Sequence, residues 1–256
     1  MELRSFKALG MNSMDIAATI GDINITHASV TSFNRGSLVD SDAMRVLVRL
    51  NEERDERICE AHFSVNAFKV GYIKRERSYY IKSEYADILM SPSKVGIRDL
   101  VRHSCFLSLL DDELFVQSYR VIFPYFLEST KQWLLVSIYC TTRDVKIVSA
   151  ECTNSVSSVT TAERKIFQDR LTILLNALDQ KKRIGGEDLP SPWIFSFGVS
   201  VAGLPCKIDR ISDSGVFIAY AMECDYFDVP MFAEEIDWDG IRSNFVYWIL
   251  NKELPM

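Results

Sequence analysis

Nucleophiles and metal ligands are present in this chain, but not at spacings that let them work together. Cys59, Cys105, Cys140, Cys152, Cys206 and Cys224 make no Cys-x-x-Cys pair. His27, His62 and His103 sit beside none of them and form no His-Glu-x-x-His pattern, so neither a metal nor a cofactor is expected. Scattered thiols of this kind read as buried free cysteines of a reducing compartment. One hydroxyl stands out by its surroundings: Ser214, in Asp213-Ser214-Gly215-Val216-Phe217, opens an apolar run to Cys224. A helix N-terminus there favours an anion by about 1 kcal/mol, far too little to ionise an alcohol, whereas a thiol would respond. Serine attacks only when a base takes its proton, and none of the histidines lies in the strand-rich region that precedes Ser214.

The elements that must position Ser214 can be read from hydrophobic spacing. Trp133 to Tyr139 and Asp144 to Ser149 are apolar or β-branched runs separated by the turn-like Thr141-Thr142-Arg143, which predicts a hairpin in a central sheet. Thr160 and Glu163 form a capping-box pattern, after which Ile166, Phe167, Leu171, Leu174, Leu175 and Leu178 recur at helical spacing, with Gly185 beyond the end. Trp193 to Val201 reads as a strand, Gly215 to Cys224 as a buried helix, and Trp238 to Lys252 as an amphipathic helix. Upstream, Asp40 to Glu53 reads as helix, with short strands at Ala61 to Val70 and Tyr79 to Ile81. Ser91 to Ser93 and Gly185 to Pro192 read as surface loops. Helices grouped before and after a mostly antiparallel sheet predict an α+β domain.

Three segments carry a more specific signal. Phe123-Pro124 leads to Lys131-Gln132-Trp133-Leu134-Leu135-Val136; Val145 to Ala150 follows; Leu204-Pro205 leads to Ser212 and the motif around Ser214. In order and spacing they resemble the SUMO-specific (ubiquitin-like-protein-specific) cysteine proteases of the papain-like clan. In that family the first segment reads His-Trp, the second ends in Asp-Ser, and the third reads Pro-Gln-Gln followed by Asp-Cys-Gly. The resemblance implies a papain-like fold over residues 26–256, with residues 1–25 as an N-terminal extension. It places Gln132 at the general-base position, Ser149 at the orienting aspartate and Ser214 at the nucleophilic cysteine. All three catalytic residues are therefore replaced, although Trp133, Ala150, Asp213, Gly215, Val216 and Phe217 keep the frame around them. The oxyanion segment is degenerate as well, reading Pro205-Cys206-Lys207 with a one-residue insertion before Ser212. Active relatives enclose the modifier's Gly-Gly tail between two tryptophans; Trp133 matches one, and Ser37 stands at the other. Degenerate copies of this domain abound in plant genomes, so the resemblance also suggests a plant source.

A neutral carboxamide such as Gln132 takes no proton near pH 7, and Glu151 has no imidazole to orient, so hydrolysis is expected to be lost. The resemblance then implies a pseudoprotease that binds SUMO, another ubiquitin-like protein or an unrelated protein. The alternatives are an active SUMO-pathway factor, either a serine-variant hydrolase or a ligase-like adaptor, and an interaction protein with no affinity for modifiers. Composition narrows the partners further. With 29 Lys+Arg against 35 Asp+Glu the net charge is -6, which argues against nucleic acid and anionic membrane, and the basic runs Lys74-Arg75 with Arg77 and Lys181-Lys182-Arg183 read as solvated faces. No apolar run approaches the roughly 20 residues that span a bilayer, and Met1 to Met14 lacks a signal-peptide core. Nucleus or cytoplasm is the expected location.

Overall fold

The computed structural model describes residues 14–34, 36–66, 78–152, 159–182, 191–198, 207–208, 211–227, 237–252 and 254. A hairpin of β1 (Ile16–Ile20) and β2 (Ile23–Thr26) leads through α1 (His27–Thr31) to the long α2 (Ser41–Asn66). Strand β3 (Ser78–Tyr80) is followed by four short helices, α3 (Ser83–Met90), α4 (Ile97–Leu100), α5 (Ser104–Asp111) and α6 (Glu113–Gln117). Strands β4 (Arg120–Leu127), β5 (Gln132–Tyr139), β6 (Asp144–Ser149) and β7 (Glu151–Cys152) precede α7 (Thr161–Lys182). The chain closes with β8 (Ile194–Gly198), β9 (Lys207–Ile208), α8 (Ser214–Phe227) and α9 (Trp238–Asn251).

Five strands form the central sheet in the order β3-β4-β5-β6-β8. The expected antiparallel character holds for β4, β5 and β6, while β3 and β8 join the two edges in parallel. The reason is connectivity: short turns join the central strands, whereas helices α3–α6 and α7 intervene before the edge pairings, and parallel neighbours need such crossovers. Helices cover both faces, so seven of the eight residues of β5 are buried and its sequence runs apolar without alternation. Trp133 and Leu135 face a cluster built with α2, α8 and α9; Leu134, Val136 and Ile138 face a second built with α3, α5 and α7. Ile20, Ile23 and Ile25 of the first hairpin join the former cluster, so β1 and β2 pack into the core.

Several local choices explain themselves. The Thr160 hydroxyl accepts from the Glu163 amide at 3.2 Å while the Glu163 carboxylate accepts from the Thr160 amide at 2.8 Å, a complete capping box. Arg170 is buried where α7 crosses α3, donating to the carbonyls of Ile88 and Leu89, which the end of α3 leaves without helical partners, and to that of Val95 in the loop beyond. Residues 61–66, read as strand from their apolar residues, are the last turns of α2. Once a helix is nucleated each further residue adds a hydrogen bond, and the pairs Arg49–Glu52 and Arg49–Glu53 support its middle turns. Strand β4 holds Pro124 because β3 pairs only with residues 120–122, leaving no neighbour there that needs the missing N–H. The basic run at residues 74–77, Arg183, residues 185–190 of the second loop, 199–201 and Cys206 lie outside the described residues. Among the described side chains Cys105, Cys140 and Cys224 are free thiols, of which Cys224 is buried and the other two are half-buried. Among the described residues no group of His, Cys, Asp and Glu is arranged to hold a metal, and no helix is long and apolar enough to cross a membrane.

Candidate functional site

A 3-10 turn, Ile211–Asp213, delivers the chain to α8, which starts at Ser214 against the first residues of β5. The Ser214 hydroxyl accepts a 3.2 Å hydrogen bond from the Trp133 amide. Both Ser214 and Gln132 are 0% exposed. Ser149 pairs in register with Leu134, which puts it diagonally across the ladder from Gln132 on the same face of the sheet. His27 lies on α1, His103 caps α5 by accepting from the Cys105 amide, and His62 belongs to α2, so none of the histidines is carried by β5, β6 or the start of α8. Asp213, the acid next to Ser214, is engaged by the Arg242 guanidinium from α9. Lys207 pairs through its backbone with Glu151 in the β7–β9 ladder.

Trp133 closes over this corner. Its indole N–H donates to the Val39 carbonyl at 3.0 Å, its ring leans on Phe126 at 5.3 Å between centroids, and the residue is 4% exposed. Gly215 lies beneath it. A Cβ there would stand 2.5 Å from the Val39 Cβ and 2.9 Å from the Trp133 Cδ1, so glycine is the residue that permits the approach. Ser37 is half-buried in the turn before Val39, its amide bonded to the Asn34 carbonyl; Leu38 and Val39, not Ser37, reach the groove described next.

Outside Trp133 runs a groove of about 730 Å³ with Pro124, Phe126 and Val39 on its floor. Five carboxylates and one guanidinium line it: Asp40, Asp42, Glu84, Asp87 and Glu128 against Arg45. Asp40 is occupied by the amides of Asp42 and Ala43, Asp42 pairs with Arg45, and Glu128 pairs with Lys131. Partial burial pushes the Asp87 carboxyl above its usual range, and Glu128 and Glu84 add to this against the opposing pull of Lys94. Sequence reasoning missed this groove, since its acids come from separate segments; the Glu84 and Asp87 spacing is the one signal that could have pointed to it.

The far end of α8 is built differently. Glu223 receives both terminal nitrogens of the buried Arg54, at 2.7 and 3.2 Å, and Asn51 takes a further bond from the same guanidinium. Asp225, 3% exposed, accepts from Ser137, Tyr139 and Arg120.

No family sequence model matches the chain, and no characterised protein matches it in sequence. Solved structures do. The C-terminal protease domain of yeast Ulp1, in complex with the SUMO ortholog Smt3, is 14% identical with a TM-score of 0.61, over 96% of this chain and 91% of that one. The Ulp1-like SUMO protease catalytic domain of Chaetomium thermophilum is 14% identical with a TM-score of 0.57, over 96% and 87%. A de-sumoylating protease is 13% identical with a TM-score of 0.53, over 91% and 89%. In its mixed sheet, its flanking helices and the run of nearly its whole length, the chain has the fold of the Ulp1-like SUMO protease catalytic domains.

Proposed function

We propose that this chain is a catalytically inactive SUMO-protease-like protein, a binding or regulatory factor that receives a ubiquitin-like domain in the groove outside Trp133. The observation that carries the reading is the state of Ser214. Its hydroxyl is sealed from solvent and holds a backbone amide, with a carboxamide at the preceding position of β5. A nucleophile must be reached by substrate and relieved of its proton, and this hydroxyl meets neither condition. Asp213 is no substitute base, because its carboxylate is committed to Arg242. Similarity to a protease domain solved with Smt3 supports a ubiquitin-like domain as the partner class.

The test has two arms. The purified chain is incubated with an isopeptide-linked SUMO substrate and with a SUMO vinyl sulfone, and in parallel titrated with SUMO by calorimetry. Saturable binding with neither cleavage nor labelling is the expected result. Cleavage that disappears in Ser214→Ala would establish a serine hydrolase instead.

A further inference from the structure

We infer that the groove is blind at its inner end, so that it reads a folded, basic face of its partner and leaves the partner's C-terminal tail unengaged. This deepens the binding reading above and rests on it. The first ground is clearance. An extended chain keeps about 4.7–4.9 Å from each strand it pairs with, so a passage for one needs walls about 10 Å apart. Here the two walls touch, because the Trp133 indole N–H bonds directly to the Val39 carbonyl at 3.0 Å. Behind that contact the packing is tighter still: a single Cβ on Gly215 would collide with both Val39 and Trp133, and Ser214 and Gln132 have no exposed surface.

The closure is held from outside the groove. Arg242, 5% exposed on α9, donates to the carbonyls of Phe33 and Asn34 at 2.8 and 3.3 Å, and its other terminal nitrogen binds the Asp213 carboxylate at 2.5 Å. One guanidinium thus ties the segment that leads into Val39 to the residue that leads into Ser214. Sliding the walls apart would strand a buried cation, which is strongly disfavoured.

The groove's outer part remains open, and its chemistry favours cations. Asp40, Asp42 and Glu128 already have partners, whereas Glu84 and Asp87, neighbours on the exposed face of α3, form no ion pair among the described residues. Over the apolar floor of Pro124 and Phe126 they present negative charge to an arriving surface, which suits lysines or arginines displayed on a folded domain.

The experiment is a calorimetric titration of the full chain with SUMO and with SUMO truncated before its C-terminal tail. Equal affinities within about twofold are expected, together with a loss of about tenfold for both ligands in the surface variant Glu84→Lys/Asp87→Lys. A truncated SUMO that binds ten times more weakly than the intact protein would overturn the blind end while leaving the binding reading in place. Absence of binding by either form would overturn the binding reading and this inference with it. Undiminished binding by the charge-reversed variant would remove the groove as the docking face.

Discussion

The two ends of α8 solve the same problem, anchoring a buried helix to the sheet and to α2, with opposite chemistry. At the start the link to the sheet is neutral, Ser214 holding the Trp133 amide while Gly215 lets Val39 and Trp133 close down upon it, and the ion pair beside it, Asp213 with Arg242, runs to α9 instead. At the end it is charged, with Glu223 on Arg54 and Asp225 on Arg120, Ser137 and Tyr139. The contrast shows where this chain keeps its buried ionic groups. They sit where they fix the position of a helix, whereas Ser214 and Gln132 at the other end neither take nor give a proton near neutral pH.

Breaking the charged anchor should have the largest effect. Glu223→Ala leaves Arg54 buried without its carboxylate and is expected to cost about 3–5 kcal/mol in urea denaturation, whereas replacing both partners with apolar residues recovers most of that loss. Gly215→Ala attacks the neutral anchor by overpacking. It should cost about 1–3 kcal/mol and shift tryptophan fluorescence as Trp133 is displaced. Ser214→Ala removes one hydrogen bond at the same end, for about 1 kcal/mol, and should leave SUMO affinity as it was. Smallest is Asp87→Asn, which contrasts a poorly compensated carboxylate with the satisfied ones below α8. Because folding raises the Asp87 pKa, its charge opposes the folded state above that pKa, and the penalty fades as pH falls below the unfolded value. The asparagine variant should therefore gain stability near pH 7, by no more than about 0.5 kcal/mol at this exposed position, and nothing near pH 3. Thermal melts at the two pH values measure the difference.

Legibility in the sequence followed the range of the interactions. The β5–β6 hairpin, the α7 capping box and α9 are set by neighbours within a few residues, and each showed as a pattern. The short helices α3 to α6 did not, because four to eight residues give too few turns for a period to emerge and their order comes from packing under the sheet. The end of α2 was misjudged because Ala61, Phe63 and Val65 alternate as a strand would. At the candidate site the resemblance pointed to Gln132, Ser149 and Ser214, but not to what their side chains do. The partner of Ser214 is a backbone amide from 81 residues away, and no pattern of side chains encodes that. Arg54, Arg170 and Arg242 were overlooked for a related reason: arginines are ordinarily surface residues, and only the folded arrangement of carbonyls and carboxylates around them accounts for their burial.

The contact between Trp133 and Val39 bears on any attempt to build a Cys-His-Asp centre by Gln132→His, Ser149→Asp and Ser214→Cys. Those exchanges would install a thiol at position 214 beneath a lid that no scissile bond can pass, so the engineered centre would stay silent toward a protein substrate. Access, and not reactivity, is the barrier to be engineered first, by thinning the indole or re-routing the loop that carries Val39.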